Sequence, residues 1–293
     1  MLERVRFGRT GLMVTKLAFG GIPIQRVSRQ DGIQLVKDTL ELGINFIDTA
    51  HGYGHSEELI GEAIQTVPRD SVVIATKSPA ADRKTLLADL DESLRRLRTD
   101  HVDIFQLHNV GSREKVAAVM GPQGAFEGMR EGIRAGKIRF PAFSTHSLPM
   151  AKEIIRTGCF DAVQIPFNFV DCQAAEEVIP FARQADMGVI AMKALGGGLL
   201  EDVRLCFRYL LQFPDVVPDP GIETISQLRE ILEVAKSRGP LTAEEIEAAF
   251  KTAENCEECR ECVKRCPYHL EIPALLKRQR GLWDDFLKTG SWA

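Results

Sequence analysis

The chain has 293 residues and a formal net charge of −4; 44% of its residues are hydrophobic, 27% charged and 7% aromatic. These values describe an ordinary soluble globular protein, long enough for one large α/β unit, and the acidic balance offers no footprint for nucleic acid. No stretch of about 18 apolar residues occurs, so no membrane span is expected. The opening MLERVRFGRTG is charged where a secretory leader needs an apolar core, and a cytoplasmic location is the expectation.

Along the chain, short apolar runs alternate with longer amphipathic ones. The predicted strands are KLAFGG (16–21), INFID (44–48), VVIATK (72–77), VDIFQLH (102–108), IRFPAFS (138–144), DAVQIPF (161–167), GVIAMK (188–193) and DVVP (215–218). Continuous apolar runs of this kind suit strands buried on both faces. Between them, RQDGIQLVKDTLELG (29–43) has helical spacing and stops at Gly43, a C-cap residue. SEELIGEAIQ (56–65) starts on Ser56, with Glu57 and Glu58 in a first turn that favours negative charge. Further helices are predicted over 83–98, 150–158, 174–188, 203–213 and 225–239, and two helical pieces broken at GPQG over 112–136.

Eight strands alternating with about eight helices predict a parallel sheet. A closed barrel and an open doubly wound sheet compete. An open dinucleotide-binding sheet would carry G-x-G-x-x-G directly after its first strand. None occurs there, and the densest glycine cluster, Gly196-Gly197-Gly198, follows the seventh strand. The span fits the roughly 250 residues of an eight-stranded barrel, so a (β/α)8 TIM barrel is predicted over 1–240. After Pro240 the alternation stops. A helix over 241–255, with Thr242 and Glu245 spaced as a capping box, precedes a cysteine run and a second amphipathic stretch, IPALLKRQRGLWDDFLKTG. This 241–293 extension is too small for a core of its own. It is expected to pack on the barrel, pinned by a metal centre.

Three predicted strands in succession end in ionisable side chains: Asp48, Lys77 and His108. In a barrel all strand C-termini share one face, where active sites lie. Tyr53 stands between two glycines in the loop above Asp48. A strand-end Asp can simply cap a loop, a Lys can face solvent and a His can be structural; three together favour function. A free Tyr has a pKa of about 10, too high for an efficient acid at neutral pH, and a neighbouring Lys ammonium is expected to lower it. Asp48 can hold Lys77 charged, and neutral His108 can orient a carbonyl. Such a set would protonate a carbonyl oxygen while a hydride arrives at its carbon.

GINFIDTAHGYGHSEELIGEAI resembles the signature of the aldo-keto reductase family around its catalytic Asp and Tyr, and ATKS and FQLHN resemble the places that carry its Lys and His. The resemblance runs in order from RFGRTGLMVTKLAFGG, whose start matches the family's small hairpin, to about residue 235. It implies a barrel enzyme reducing a small-molecule aldehyde or ketone with NADP or NAD bound in extended form. Asp48, Tyr53, Lys77 and His108 would be the catalytic tetrad, with Tyr53 as proton donor. Gly21 joins the implied cofactor set. Ser144 and Thr145 stand where a Ser-Asn pair holds the nicotinamide carboxamide, Thr145 departing from that pattern, and Gln164 matches the carboxamide-binding Gln. Met192 replaces an aromatic ring found in many members; Lys193 follows it, and Leu195 to Gly198, Gly197 included, would run beside the pyrophosphate. VVPDPGIETISQLREI (216–231) matches the adenosine-binding segment, with Gly221, Glu223 and Gln227 lining it and Glu230 on the adenine. Members that prefer NADP place Lys or Arg here. Glu223 would repel a 2′-phosphate and can bond a 2′-hydroxyl, so NADP preference is expected to be weakened and NADH to serve.

Of seven cysteines, Cys159, Cys172 and Cys206 are scattered, whereas Cys256, Cys259, Cys262 and Cys266 form the run C-x2-C-x2-C-x3-C-P. That spacing is the bacterial ferredoxin run; a structural zinc is the lesser alternative, since zinc sites more often separate two C-x2-C pairs widely. In two-cluster ferredoxins the fourth Cys binds the other cluster, so either all four hold one 4Fe–4S cluster or a remote Cys206 or Cys172 replaces Cys266. The barrel with this extension resembles the ferredoxin-type subgroup of the family. The cluster reads as a structural staple, as an electron carrier for a redox partner protein, or as a source of oxygen sensitivity, the staple being preferred. An electron-transfer or redox-sensing protein on an old barrel is the alternative to a reductase.

Overall fold

The structure, a computed structural model, describes residues 2–198, 200, 202–236, 242, 245, 271, 273–275, 277, 278, 280, 281 and 284. A hairpin opens the chain, with β1 (Arg4–Arg6) antiparallel to β2 (Met13–Thr15). Strands and helices then alternate: β3 (Phe19–Gly20), α1 (Arg29–Glu41), β4 (Phe46–Asp48), α2 (Ser56–Ala63), β5 (Val73–Ser78), α3 (Arg83–Leu97), β6 (Val102–Leu107) and, beyond it, α4 (Arg113–Met120) and α5 (Ala125–Arg134). The second half runs β7 (Ile138–Ser144), α6 (Leu148–Ile155), β8 (Ala162–Pro166), α7 (Ala174–Glu177), α8 (Ile179–Gln184), β9 (Gly188–Met192), α9 (Val203–Leu210), β10 (Val216–Asp219) and α10 (Ile225–Lys236).

Each of the eight predicted strands is present, and the GPQG break separates α4 from α5 as expected. One predicted helix, 174–188, is two. Val178 leaves helical geometry at φ −123°, because Pro180 has no N–H to continue the ladder and its ring disfavours helix in the residues before it.

Strands β3 to β10 pair in sequence order, all parallel. The ends close: the Ala18 N–H donates to the Pro218 carbonyl and the Gly20 N–H to the Pro220 carbonyl, both at 2.9 Å, and Gly20 bridges Gly221. The result is an eight-stranded barrel ringed by helices, the predicted (β/α)8 fold.

Strand side chains alternate between barrel interior and helical shell. Ala18, Phe46, Ala75, Ile104, Ala142, Ala162, Ile190 and Val217 form one interior cluster with Phe7, Leu12 and Val14 of the hairpin. Phe7 meets Phe46 edge-on, centroids 5.3 Å apart, so the hairpin plugs the N-terminal end of the barrel. Two residues further along, six of the eight strands turn polar, at Asp48, Lys77, Gln106, Ser144, Gln164 and Asp219, with Gly20 and Met192 completing the layer.

Of the C-terminal extension, the predicted capping box is present. The Thr242 N–H donates to Glu245 Oε2 at 2.8 Å and the Glu245 N–H to Thr242 Oγ1 at 3.2 Å. Glu245 also accepts from Arg204 (3.0 Å) and Arg208 (2.7 Å) of α9. Leu275 is buried in the outer core, and Arg278 reaches Glu176 of α7 at 2.8 Å. The cysteine run 256–266 lies outside the described residues.

The plug depends on a missing side chain. A Cβ on Gly188 would lie 2.3 Å from the Phe7 ring, and an aromatic ring wedged in a barrel has no free rotamer to escape into. Gly188→Ala is expected to destabilise by about 1–3 kcal/mol through overpacking, read as a lower urea midpoint at unchanged slope. A midpoint equal to the parent's would show that Phe7 does not fill the barrel end.

Candidate active site

The turn that carries Tyr53 is built from the end of β4. The His51 N–H donates to the Lys77 carbonyl, the Tyr53 N–H to the Ala50 carbonyl and the Ser56 N–H to the Tyr53 carbonyl, at 2.9, 3.0 and 2.9 Å. Gly54 takes φ +51°, the left-handed conformation that a glycine adopts without a Cβ penalty, and so reverses the chain into α2. Glu57, 1% exposed, accepts from Thr76 Oγ1 at 2.7 Å, and Arg96 Nη1 donates to the His51 carbonyl at 3.1 Å with Glu57 3.5 Å away. The turn that carries Tyr53 is thereby tied to α3 at the His51 carbonyl, and the following α2 to β5. Ser56, expected at the helix start, is the first helical residue, but its hydroxyl donates across to the Gly21 carbonyl at 2.7 Å instead of capping.

The four sequence-derived tetrad residues come together. Lys77, 1% exposed, donates from Nζ to Asp48 Oδ2 and, at 2.7 Å, to the Thr49 carbonyl. Its Nζ lies 5.0 Å from the centroid of the Tyr53 ring, and that ring meets His108 edge-on, centroids 5.8 Å apart. Asp48 accepts two more bonds, from Gln106 Nε2 to Oδ1 at 3.1 Å and from Gln164 Nε2 to Oδ2 at 3.2 Å. The same Gln164 nitrogen donates to Asp219 Oδ2 at 3.0 Å. Gln106 and Asp219 escaped the sequence reading; each lies two residues beyond an inward apolar residue, Ile104 and Val217, and that period was the available signal.

Burial sets the protonation states. It works against the Lys77 ammonium, yet Asp48, Tyr53 and Asp219 outweigh it and raise the Lys77 pKa above its ordinary value. For Tyr53, burial is the largest influence; with Asp48 and Asp219 it prevails over Lys77, so the phenol pKa is raised. The lowering expected from Lys77 alone is present but outweighed. Burial, then Lys77, Lys115 and His146, push the His108 imidazole down to about 3, so it is neutral at ordinary pH. Lys115 Nζ donates to the His108 carbonyl at 2.9 Å.

The remaining candidates fall along the rim over β7 to β10. Ser144 Oγ accepts the Asn109 N–H at 2.9 Å, which leaves its own proton to donate. Thr145 Oγ1 likewise accepts the Ser147 N–H at 3.1 Å. Gln164 Oε1 is buried without a hydrogen-bond partner. Met192 is half-buried, and Lys193 holds φ +60° with Nζ 3.0 Å from His146 Nδ1. Leu195 leads into Gly196, Gly197 and Gly198, all at positive φ. The Gly21 N–H donates to the Asp48 carbonyl at 2.8 Å, and Gly221 sits at the barrel seam. Glu223 pairs with Arg26 at 3.0 Å. Gln227 Oε1 accepts the N–H groups of Glu223 and Thr224 at 2.9 and 3.2 Å, so it caps α10, while Glu230 is exposed.

Residues 16–204 match the aldo/keto reductase family, a span that holds the tetrad and every rim candidate up to Gly197. The chain is 28% identical to aldo-keto reductase YhdN of Bacillus subtilis over 81% of its own length and 77% of the relative's. It is also 28% identical to L-galactose dehydrogenase of Arabidopsis thaliana, over 69% and 68%. The fold superposes on an aldo-keto reductase from Klebsiella pneumoniae, solved in complex with NADPH, with a TM-score of 0.73 at 22% identity, covering 86% of this chain and 95% of that one. The chain belongs to the aldo/keto reductase family and is an oxidoreductase enzyme.

Proposed function

We propose that this enzyme reduces a small aldehyde or ketone with NAD(P)H, and that Tyr53 delivers the proton to the carbonyl oxygen. The observation that carries the reading is a buried Lys77–Asp48 pair directly beneath a half-buried phenol. When bound, NAD(P)H supplies the hydride. Tyr53, its pKa raised, arrives with its proton in place. Lys77 stands ready to stabilise the phenolate left behind, Asp48 fixes Lys77, and neutral His108 can donate a hydrogen bond to the same carbonyl oxygen.

The rim supports a nicotinamide dinucleotide. The unpartnered Gln164 Oε1 suits the amino group of a carboxamide, and the Ser144 hydroxyl suits its oxygen. Lys193 and the Leu195–Gly198 turn would hold the pyrophosphate; Met192 would pack on the nicotinamide, and Gly21, Thr145, Gly221, Gln227 and Glu230 would shape the rest. Bound NADPH in the Klebsiella pneumoniae relative supports NADP as a cofactor. Glu223 is expected to disfavour a 2′-phosphate, its pairing with Arg26 offsetting part of that repulsion, and NADH is read as serving too.

Tyr53→Phe is expected to lower carbonyl reduction at least a thousandfold, roughly the upper part of the range for a lost general acid, while dinucleotide binding by fluorescence is retained. Assays with NADH and NADPH in parallel test the cofactor reading, which a wide NADPH advantage in KM would sink. Turnover that survives in Tyr53→Phe would remove Tyr53 as donor.

The pH profile tests the electrostatics separately. The His108 imidazole, at about 3, stays neutral as pH rises from 4 upward, so kcat/KM for reduction is expected to show no limb near the ordinary His value of about 6.5. Reduction needs the protonated phenol, so the rate falls only on the alkaline side. A limb near 6.5 that disappears in His108→Gln would refute a neutral imidazole.

The division into a barrel, 1–240, and a metal-bearing extension, 241–293, belongs to the same proposal. Cys256, Cys259, Cys262 and Cys266 supply four thiolates at ferredoxin spacing, which suits a 4Fe–4S cluster kept in a reducing cytoplasm. Anaerobically purified protein is expected to hold about four irons and four sulfides per chain, with broad visible absorption bleached by reductant. Zinc alone under those conditions would make the extension a structural zinc knuckle.

A further inference from the structure

The barrel interior holds one more ionisable group than the tetrad accounts for. Asp219 ends β10 and is 7% exposed. Its Oδ2 shares the Gln164 amide nitrogen with Asp48, and its Oδ1 is buried with no hydrogen-bond partner. A Cβ on Gly20, across the barrel seam, would lie 3.0 Å from that Oδ1. Gln164 from β8 bonds Asp219 directly; Asp48 from β4 and Lys77 from β5 act on it electrostatically, and Tyr53 in the turn above feels its charge. Its neighbours on the two adjoining strands, Met192 and Gly20, carry no charge.

Two carboxyl groups and a single ammonium therefore occupy one buried layer among the described residues. A like charge close by disfavours ionisation of the second of two buried carboxyls. Asp48 has Lys77, Gln106 and Gln164 donating to its two oxygens, whereas Asp219 has one donor. Burial first, and Asp48 second, push the Asp219 pKa well above the ordinary carboxyl value.

We propose that Asp219 is a further positioning residue of the reaction, a second buried carboxyl that sets how firmly Tyr53 keeps its proton, acting through the Gln164–Asp48–Lys77 cluster. The inference rests on Tyr53 being the proton donor. At low pH Asp219 is neutral and adds no charge. Once ionised, its negative charge joins that of Asp48 in opposing phenolate. The acid form of Tyr53 is thus protected on the alkaline side, where it would otherwise be lost first.

The test uses Asp219→Asn, Asp219→Glu and Tyr53→Phe in the full-length protein. The chain has three tyrosines, so subtracting the ultraviolet phenolate titration of Tyr53→Phe isolates Tyr53 without any turnover. Asp219→Asn is expected to move the Tyr53 titration, and the alkaline limb of kcat/KM with saturating cofactor, down by about one pH unit, a tenfold change in proton affinity. Asp219→Glu is expected to restore most of it. Should Asp219→Asn not fold, Asp219→Ser removes the same charge. A folded neutral variant whose Tyr53 titration stays in place overturns the proposal, as does a rate loss uniform across pH. If Tyr53→Phe keeps turnover, the donor assignment fails, and the phenol titration still decides what Asp219 does.

Discussion

The Lys77–Asp48 ion pair is the constraint around which the upper barrel is arranged. Both side chains are almost wholly buried, and taking two charges out of water costs several kcal/mol per ion unless the remaining donors and acceptors are met. Here they are: Lys77 also donates to the Thr49 carbonyl, and Asp48 also receives Gln106 and Gln164. Four strands thus converge on one ion pair. Removing either partner would leave an uncompensated charge among groups already committed elsewhere, so the polar layer stands or falls as a unit.

That layer exists because of where the apolar one stops. Strand side chains alternate with period two, so the interior sequence of each strand is short, and one step separates Phe46 from Asp48, Ala75 from Lys77, Ile104 from Gln106 and Val217 from Asp219. Phe7, seated against the bare backbone of Gly188, closes the other end. Water can reach the charged layer from one mouth only. The Tyr53 turn, gripped by Glu57 and Arg96, is the structure that partly covers it.

Strand-end charge was visible in the sequence, and so were the eight strands and the Thr242–Glu245 capping box, because each is a local pattern; the hairpin was implied only by the family resemblance. Asp48, Lys77 and His108 announced themselves by ending apolar runs. Gln106 and Asp219 did not, since one lies inside VDIFQLH and the other follows a proline, and only the register of neighbouring strands shows that they face inward. The proline at 180 carried a local warning that the periodicity of 174–188 overrode. Tyr53 is the instructive case: a pairwise view gave Lys77 the decisive vote, whereas the fold supplies burial and two carboxyls, which pull the other way.

That balance bears on where the proton rests. Burial keeps Tyr53 in its acid form, and His108, driven neutral, brings no positive charge that would favour phenolate. Lys77 alone opposes this, and its own charge is largely engaged by Asp48. The ligand-free site therefore holds the proton on Tyr53 more firmly than a free phenol does. Under the proposed role, Lys77, 5.0 Å from the ring centre, is the group placed to meet the charge left when the Tyr53 proton moves to a substrate oxygen, working against the burial and the carboxyls that oppose phenolate.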